Sequence, residues 1–409
     1  MRVLWIKAGG LLPLDTGGKI RSYHTIKELA QRHEITLYTF YKAHSGDVHR
    51  ELEKTVARVF IRPLELPESR TAADAMLFAR LHATGTSYTM GKYYRPQVRR
   101  DVRTLTGDYS YDIIVCDFIF PAGLLPWSGS PPTVLFTHNV EAEVWERQLR
   151  LTHSPLMKLA LQLEAKALVR AERRYALLAE HVLTVSERNA DYFRSFLDPD
   201  SVSVVPTGVD VEYFRPSSNG AAARSLDLVF TGSMDWMPNE DAVLHFVKDI
   251  LPLIRQEVPA VRFLAVGRKP SAALERLADG DKVVVTGAVD DIRPYLSRAA
   301  VFVVPIRSGS GTRLKVFEAM AAGKAVVSTR MGSEGLMVND GEDIHLADNP
   351  HEFAAAVVSL LRDPGARASL ESAARRLVEE RYSWRAATVD FEAVLKGAAR
   401  RAAERISTP

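Results

Sequence analysis

The 409-residue sequence predicts an α/β protein made of two tandem, doubly wound, Rossmann-like domains that face each other across a cleft. Three observations lead there. Short runs rich in Val, Ile, Leu and Phe alternate with longer segments of helical periodicity up to residue 206, the pattern of a parallel sheet covered by helices on both faces. The alternation stops at Pro206-Thr207-Gly208-Val209-Asp210 and the polar run Pro216 to Arg224, then begins again. Within the second half, Val301 to Ser328 reads as strand, glycine-rich loop, helix and strand, the unit around which a ligand site is built in such sheets.

In the first half, Val3 to Ile6 is a β-branched, apolar strand, and a loop with Gly9-Gly10 and Thr16-Gly17-Gly18 follows it. Lys19 to Arg32 places Ile20, Tyr23 and Leu29-Ala30 at helical spacing. Ile35 to Phe40 and Val59 to Leu64 are strands, Ala72 to His82 is helical, and Gly91 to Leu105 is basic without a clear period. Ile113 to Cys116 and Thr133 to Thr137 are strands. Glu141 to Ala179 is helical with a break near Pro155, which lacks a backbone donor. Val182 to Val185, a helix from Ser186 to Phe196, and Val202 to Val205 complete this half.

The second half repeats the scheme with strands at Leu228 to Thr231, Phe263 to Val266, Val283 to Thr286, Val301 to Val304 and Val326 to Ser328, and a helix from Asn239 to Ile254. From His351 onward the chain is mostly helical. The expected division is an N-terminal domain over 1–206, a C-terminal domain over 207–383, and a helix over 384–409 that crosses back to the N-terminal domain.

Composition narrows the function. Hydrophobic residues at 46 % and charged residues at 25 % fit globular domains, and a net charge of +3 is too small to argue for nucleic acid. The single cysteine, Cys116, excludes an intrachain disulfide and a cysteine-rich zinc site. The histidines show no ligand spacing, so no metal is expected. Lys7 and Gly9-Gly10 interrupt the first apolar run too early for a signal peptide, and no uncharged run is long enough to span a bilayer. The expected localisation is cytoplasmic, with peripheral contact at the inner face of the membrane left open. Ala8 to Pro13 does not supply the G-x-G-x-x-G of a dehydrogenase.

The strongest ligand signal is at residues 309–318. The amides of Gly309, Ser310, Gly311 and Thr312 precede a helix amino end, where the dipole favours an anion. Arg313 and Lys315 add positive charge, Arg313 the favoured one, and Glu318 lies within the helix. Amides and cations suit a diphosphate; a carboxylate suits sugar hydroxyls. Gly17 and Gly18 stand before another helix, either as a tight turn or for close backbone approach to a phosphate or sugar, with Lys19 and Arg21 beside them. His138 falls at the carboxyl end of a strand, where ligands bind in these sheets.

Taken as an ordered set, these segments resemble the retaining glycosyltransferase family four, of the GT-B fold. The matching residues are Thr16-Gly17-Gly18-Lys19-Ile20-Arg21, Phe136-Thr137-His138-Asn139, Val205 to Asp210, Phe230 to Asp235, Ala265-Val266-Gly267, Val285-Thr286-Gly287, and above all Phe317 to Val327. The resemblance implies a metal-independent transferase moving a sugar from a nucleotide diphosphate sugar, a co-substrate rather than a cofactor, to an acceptor hydroxyl in surface polysaccharide or glycolipid synthesis. It implies that Glu318 binds the donor ribose, that Gly17, Gly18 and the 309–315 segment contact the donor, and that His138 hydrogen-bonds the transferred sugar. It implies an acceptor bound by the N-terminal domain. Where many members carry a second glutamate, eight residues before the first, this chain has Ser310. Where many carry arginine and lysine after the first C-domain strand, it has Ser233 and Asn239. Those departures leave open a nucleotide-sugar-binding protein without transfer activity.

Two basic regions remain. One carries Lys92, Arg95, Arg99, Arg100 and Arg103 against Asp101. The other, Arg147 to Arg174, carries seven Lys or Arg against Glu164 and Glu172, with leucines interleaved. They read either as solvated helix faces or as contacts for anionic lipid headgroups or an acceptor's diphosphate, so a lipid-binding scaffold is a further alternative.

Overall fold

The computed structural model describes residues 1–42, 46–67, 71–108, 110–127, 131–152, 154–216, 226–309 and 313–407. The chain forms two compact units: Met1–Pro206 together with the segment from Ala387 onward, and Thr207–Ala386.

The first unit holds seven strands, β1 (Arg2–Lys7), β2 (Glu34–Tyr41), β3 (Arg58–Pro63), β4 (Ile113–Asp117), β5 (Thr133–Phe136), β6 (His181–Thr184) and β7 (Val202–Val204). All pair in parallel in the order β3-β2-β1-β4-β5-β6-β7. The strands read as continuous apolar runs because helices cover both faces: every residue of β4, including Asp117 at its end, is buried. Trp5 of β1 pairs with Leu37 of β2 and Val115 of β4 at the sheet centre. The last helix, Trp384–Ser407, closes one face; Phe391 stacks on Trp5 at 5.6 Å and meets Phe136 edge-on at 4.9 Å.

The second unit holds β8 (Asp227–Thr231), β9 (Arg262–Val266), β10 (Val283–Val285), β11 (Ala299–Val304), β12 (Val326–Ser328) and β13 (His345–Leu346). They form a parallel sheet in the order β10-β9-β8-β11-β12-β13. In both sheets the strand order reverses once, between β1 and β4 and between β8 and β11. A crevice opens beyond the carboxyl ends of strands at such a point. The helix Leu314–Ala321 leaves β11 there and buries Val316, Phe317, Ala319 and Met320. Phe317 stacks on Tyr382 at 4.2 Å, and its truncation to alanine should cost about 3–5 kcal/mol. Gly323, at φ +66°, ends that helix in the left-handed conformation expected of a C′ glycine.

Four local readings need correction. The first helix is Gly17–Ala30, so Gly17 and Gly18 are its first turn and not a tight turn before it. The basic stretch after residue 87 is two helices, Tyr88–Gly91 and Pro96–Asp108. The helix expected from Asn239 begins at Met237, with Pro238 in its first turn. It passes through a π-helical stretch, Phe246–Ile250, before ending at Glu257.

Candidate functional site

A cavity of about 450 Å³ lies at the carboxyl edge of the second unit's sheet. Thr231 ends β8 and Gly232 and Ser233 follow it, Val266 ends β9 and Gly267 and Arg268 follow it, and Ala288, Val289 and Ile292 follow β10. Asn239 and, from the helix after β11, Lys315 and Glu318 complete the lining. Lys315 and Glu318 are three residues apart on a helix and therefore share its face.

Two glycines bring the loops together. A Cβ on Gly267 would stand 1.7 Å from the Gly232 carbonyl oxygen. One on Gly232 would stand 2.6 Å from the Asn239 amide nitrogen and 2.7 Å from Lys315 Nζ. A side chain at Gly267 is excluded by contact with backbone, and one at Gly232 would displace the Asn239 and Lys315 side chains. The Lys315 ammonium thus lies against bare backbone, donates to Asn239 Oδ1 at 2.8 Å, and sits 4.0 Å from the centre of the Phe230 ring. Asn239 Nδ2 in turn donates to the Ser233 carbonyl at 2.8 Å. Arg268 Nε donates to Ser233 Oγ at 2.9 Å. The positions where the resemblance expects arginine and lysine thus hold neutral side chains, and each bonds a cation from another element.

Burial pushes Lys315 down to about 7; the nearby Arg313 charge adds to this and Glu318 opposes it. Burial pushes Glu318 up to about 7, opposed by Lys315. The Glu318 carboxylate has no hydrogen-bond or ion-pair partner among the described residues. Lys324, the other cation near it in sequence, donates instead to the Ser297 carbonyl at 3.0 Å. A lone carboxylate and two cations held by neutral groups are suited to a ligand bearing both hydroxyls and negative charge.

Arg313 is not part of the lining. It is buried, its guanidinium 5.2 Å from the Trp236 ring centre, and it donates to the Ser308 carbonyl at 3.4 Å. Gly309, at φ +102°, rests on Pro238, Trp236 and Arg313. Ser310, Gly311 and Thr312 lie outside the described residues.

Gly17, Gly18 and His138 belong to the first unit. Gly18 backs onto the Phe118 ring; an added Cβ would stand 2.9 Å from it and 3.8 Å from His138 Nδ1. Phe118 itself has φ +66°, rare for a bulky residue, and its ring stacks on His138 with centres 3.9 Å apart. His138 is buried with both nitrogens engaged: Arg21 Nη1 lies 2.9 Å from Nδ1 and Asp117 Oδ1 lies 2.9 Å from Nε2. A guanidinium only donates, so Nδ1 accepts and Nε2–H donates to Asp117. Burial pushes the imidazole down to about 3, against the pull of Asp117 and with the charges of Arg21 and Lys7 adding to burial. Burial works against the Asp117 carboxylate, but Lys7, His138 and Ser22 outweigh it and hold it below the usual range. Trp5 Nε1 also donates to Asp117 at 2.9 Å, and Lys7 Nζ lies 3.2 Å from it.

For the expected bond from His138 to a transferred sugar, either ring nitrogen has to give up Arg21 or Asp117. Arg21 is interior, while Lys19 pairs with Asp15 at 2.9 Å near the surface. Arg268 was not among the sequence candidates. A cation placed directly after the glycine that follows β9 was the available signal.

Comparison with known proteins agrees with this architecture. The model of glycosyltransferase family 4 matches residues 16–213, and that of glycosyl transferases group 1 matches residues 225–363. The chain belongs to glycosyltransferase family 4 and has the GT-B fold. A D-inositol 3-phosphate glycosyltransferase of Streptomyces bingchenggensis is 29 % identical over 56 % of this chain and 56 % of its own length. The match therefore spans about half of that relative. Among solved structures, HepE of Anabaena in complex with UDP superposes with a TM-score of 0.66 at 16 % identity, covering 97 % of this chain and all of that one. Sucrose-phosphate synthase of Thermosynechococcus elongatus gives 0.68 at 17 %, covering 97 % and 98 %. At such identities the likeness is one of fold.

Proposed function

We propose that the protein is a retaining glycosyltransferase that holds a nucleotide diphosphate sugar in the second unit's cavity and transfers its sugar to an acceptor hydroxyl. The observation that carries this reading is Glu318: a carboxylate without a hydrogen-bond or ion-pair partner among the described residues, lining a cavity beside Lys315. Glu318 accepts the ribose hydroxyls. Lys315 and Arg268, both in the lining, compensate the diphosphate. The apolar side of the cavity, Ala288, Val289 and Ile292, receives the base. With these cations in place the reaction needs no metal.

In the transfer, the bond from the sugar's anomeric carbon to the diphosphate breaks and a bond to the acceptor oxygen forms on the same face. The leaving phosphate oxygen takes the acceptor proton. The protein's share is orientation and charge stabilisation. In the first unit the Arg21–His138–Asp117 cluster fixes the first turn of the helix that Gly17 and Gly18 begin. The first unit carries the acceptor. The activity named for the Streptomyces relative makes a phosphorylated cyclitol the first acceptor to try, and the setting is surface glycolipid or polysaccharide synthesis.

A thermal-shift panel of UDP, GDP, ADP and their sugars tests the donor assignment. A ligand at a hundred times its Kd stabilises by about 2.7 kcal/mol. Donor hydrolysis or transfer by the wild type, lost in Glu318→Ala, is the expected result. Binding without turnover in the presence of acceptors would leave only a nucleotide-sugar-binding protein; no shift with any nucleotide would overturn the donor site.

A further inference from the structure

We propose that the outward face of the helix Pro155–Leu178, joined by the arginines of Pro96–Asp108, is a docking surface for an anionic lipid bilayer. It stands independently of the transferase reading.

The long helix divides its side chains sharply. Leu161, Ala165, Leu168 and Ala176 face inward, and so do both of its carboxylates. Glu164 accepts from Ser87 Oγ at 2.6 Å and from the Tyr88 and Thr89 amides, each at 2.9 Å. Glu172 accepts from the Glu141 amide at 2.6 Å and from Tyr192 at 3.1 Å. The outward face therefore keeps its cations and none of its acids. Lys158, Lys166, Arg170, Arg173 and Arg174 are all exposed, and none forms an ion pair with a described residue. Alongside them Leu156 is 79 % exposed, Leu159 54 % and Leu163 42 %, spaced at i, i+3 and i+7 on one stripe.

The second basic region reaches the same place. Asp101, its only acid, is turned to Arg62 at 2.5 Å and Tyr38 at 2.7 Å. Arg99, Arg100 and Arg103 are left exposed without ion pairs among the described residues. Burial raises the phenol of Tyr175 on the long helix, and the charges of Arg174 and, from the second region, Arg99 both pull it back.

Charge complementarity selects the occupant. Nucleic acid or an acidic protein would satisfy the cations and leave the leucine stripe wet. A second copy of the chain would cover the leucines but set like charges against each other. An anionic bilayer offers headgroups to the cations and its acyl boundary to the leucines. No described helix is long and apolar enough to cross a membrane, so the contact lies along the surface.

Co-sedimentation with vesicles tests this, using phosphatidylcholine alone and phosphatidylcholine mixed with phosphatidylglycerol at about 0.1 M salt, where the Debye length is about 10 Å. The wild type is expected to pellet with the anionic vesicles only and to be released at about 1 M salt. Arg170→Ala/Arg173→Ala/Arg174→Ala should weaken partitioning about a hundredfold. Leu156→Ser/Leu159→Ser/Leu163→Ser should weaken it at least about tenfold. Both variants alter only surface side chains and should keep the wild-type Tm and UDP response. The proposal is overturned if the wild type ignores anionic vesicles, or if the leucine variant binds them as the wild type does. It is also overturned if the leucine variant converts a dimer to a monomer by sedimentation velocity. The UDP response reports the donor site separately, so failure of either reading is distinguishable.

Discussion

Lys315 Nζ lies 2.8 Å from Asn239 Oδ1, so a lysine that lines the cavity with Glu318 is held by a neutral amide and not by a carboxylate. Replacing that amide with a carboxylate would pair the charge internally. Asn239→Asp should weaken UDP binding about 10–100-fold by calorimetry, and the loss of the Nδ2 bond to the Ser233 carbonyl should also lower Tm. Lys315→Met should weaken UDP binding to a similar degree. Retained affinity in both variants would place the diphosphate elsewhere.

Glu318 gives opposite signs for binding and stability. Its carboxylate is disfavoured by burial and has no partner among the described residues. Glu318→Gln should therefore lower UDP affinity at least about tenfold yet raise Tm above pH 7, where the native carboxylate is ionised. An affinity unchanged from wild type removes the ribose contact.

The same pair sets a pH profile for donor binding. Glu318 is ionised above its value of about 7 and loses its acceptor strength as pH falls through it. Lys315 is charged below its value of about 7 and loses its hold on a diphosphate as pH rises through it. UDP affinity should peak near neutrality and decline on both sides. Lys315→Met should remove the alkaline decline and keep the acid one. A profile flat from pH 5.5 to 8.5 contradicts the assignment.

A pair of carboxyls in the first unit, Glu141 and Glu172, affects folding alone. Burial pushes Glu172 up to about 8, with Glu141 adding, and burial pushes Glu141 up to about 7. The folded chain then holds protons that the unfolded chain has released above about pH 4.5, so stability falls as pH rises through 7 to 8. Glu172→Gln should match the wild type near pH 4 and exceed it increasingly up to pH 9, by about 2–4 °C in Tm for each 1 kcal/mol recovered. A gap that does not widen with pH would mean that Glu172 is already ionised in the fold.

The sheets were legible because parallel strands buried on both faces leave unbroken apolar runs, as in Ile113–Asp117 and Ala299–Val304. The helix Pro96–Asp108 was not, because its exposed arginines outweigh the few positions, Val98, Val102 and Leu105, that it buries. At the cavity, the three-residue spacing of Lys315 and Glu318 was visible, but what faces them was not. Asn239 and Ser233 meet Lys315 and Arg268 across 76 and 35 residues of chain. His138 shows the same limit: Arg21 and Asp117 are 117 and 21 residues away, so an imidazole read as available proves to be fully occupied.

That occupancy matters for chemical probing. With its accepting nitrogen taken up by a guanidinium and the ring shielded by Phe118, His138 should resist acylation by diethyl pyrocarbonate in the native protein. Any inactivation by that reagent reports a histidine elsewhere, or a chain that has already opened.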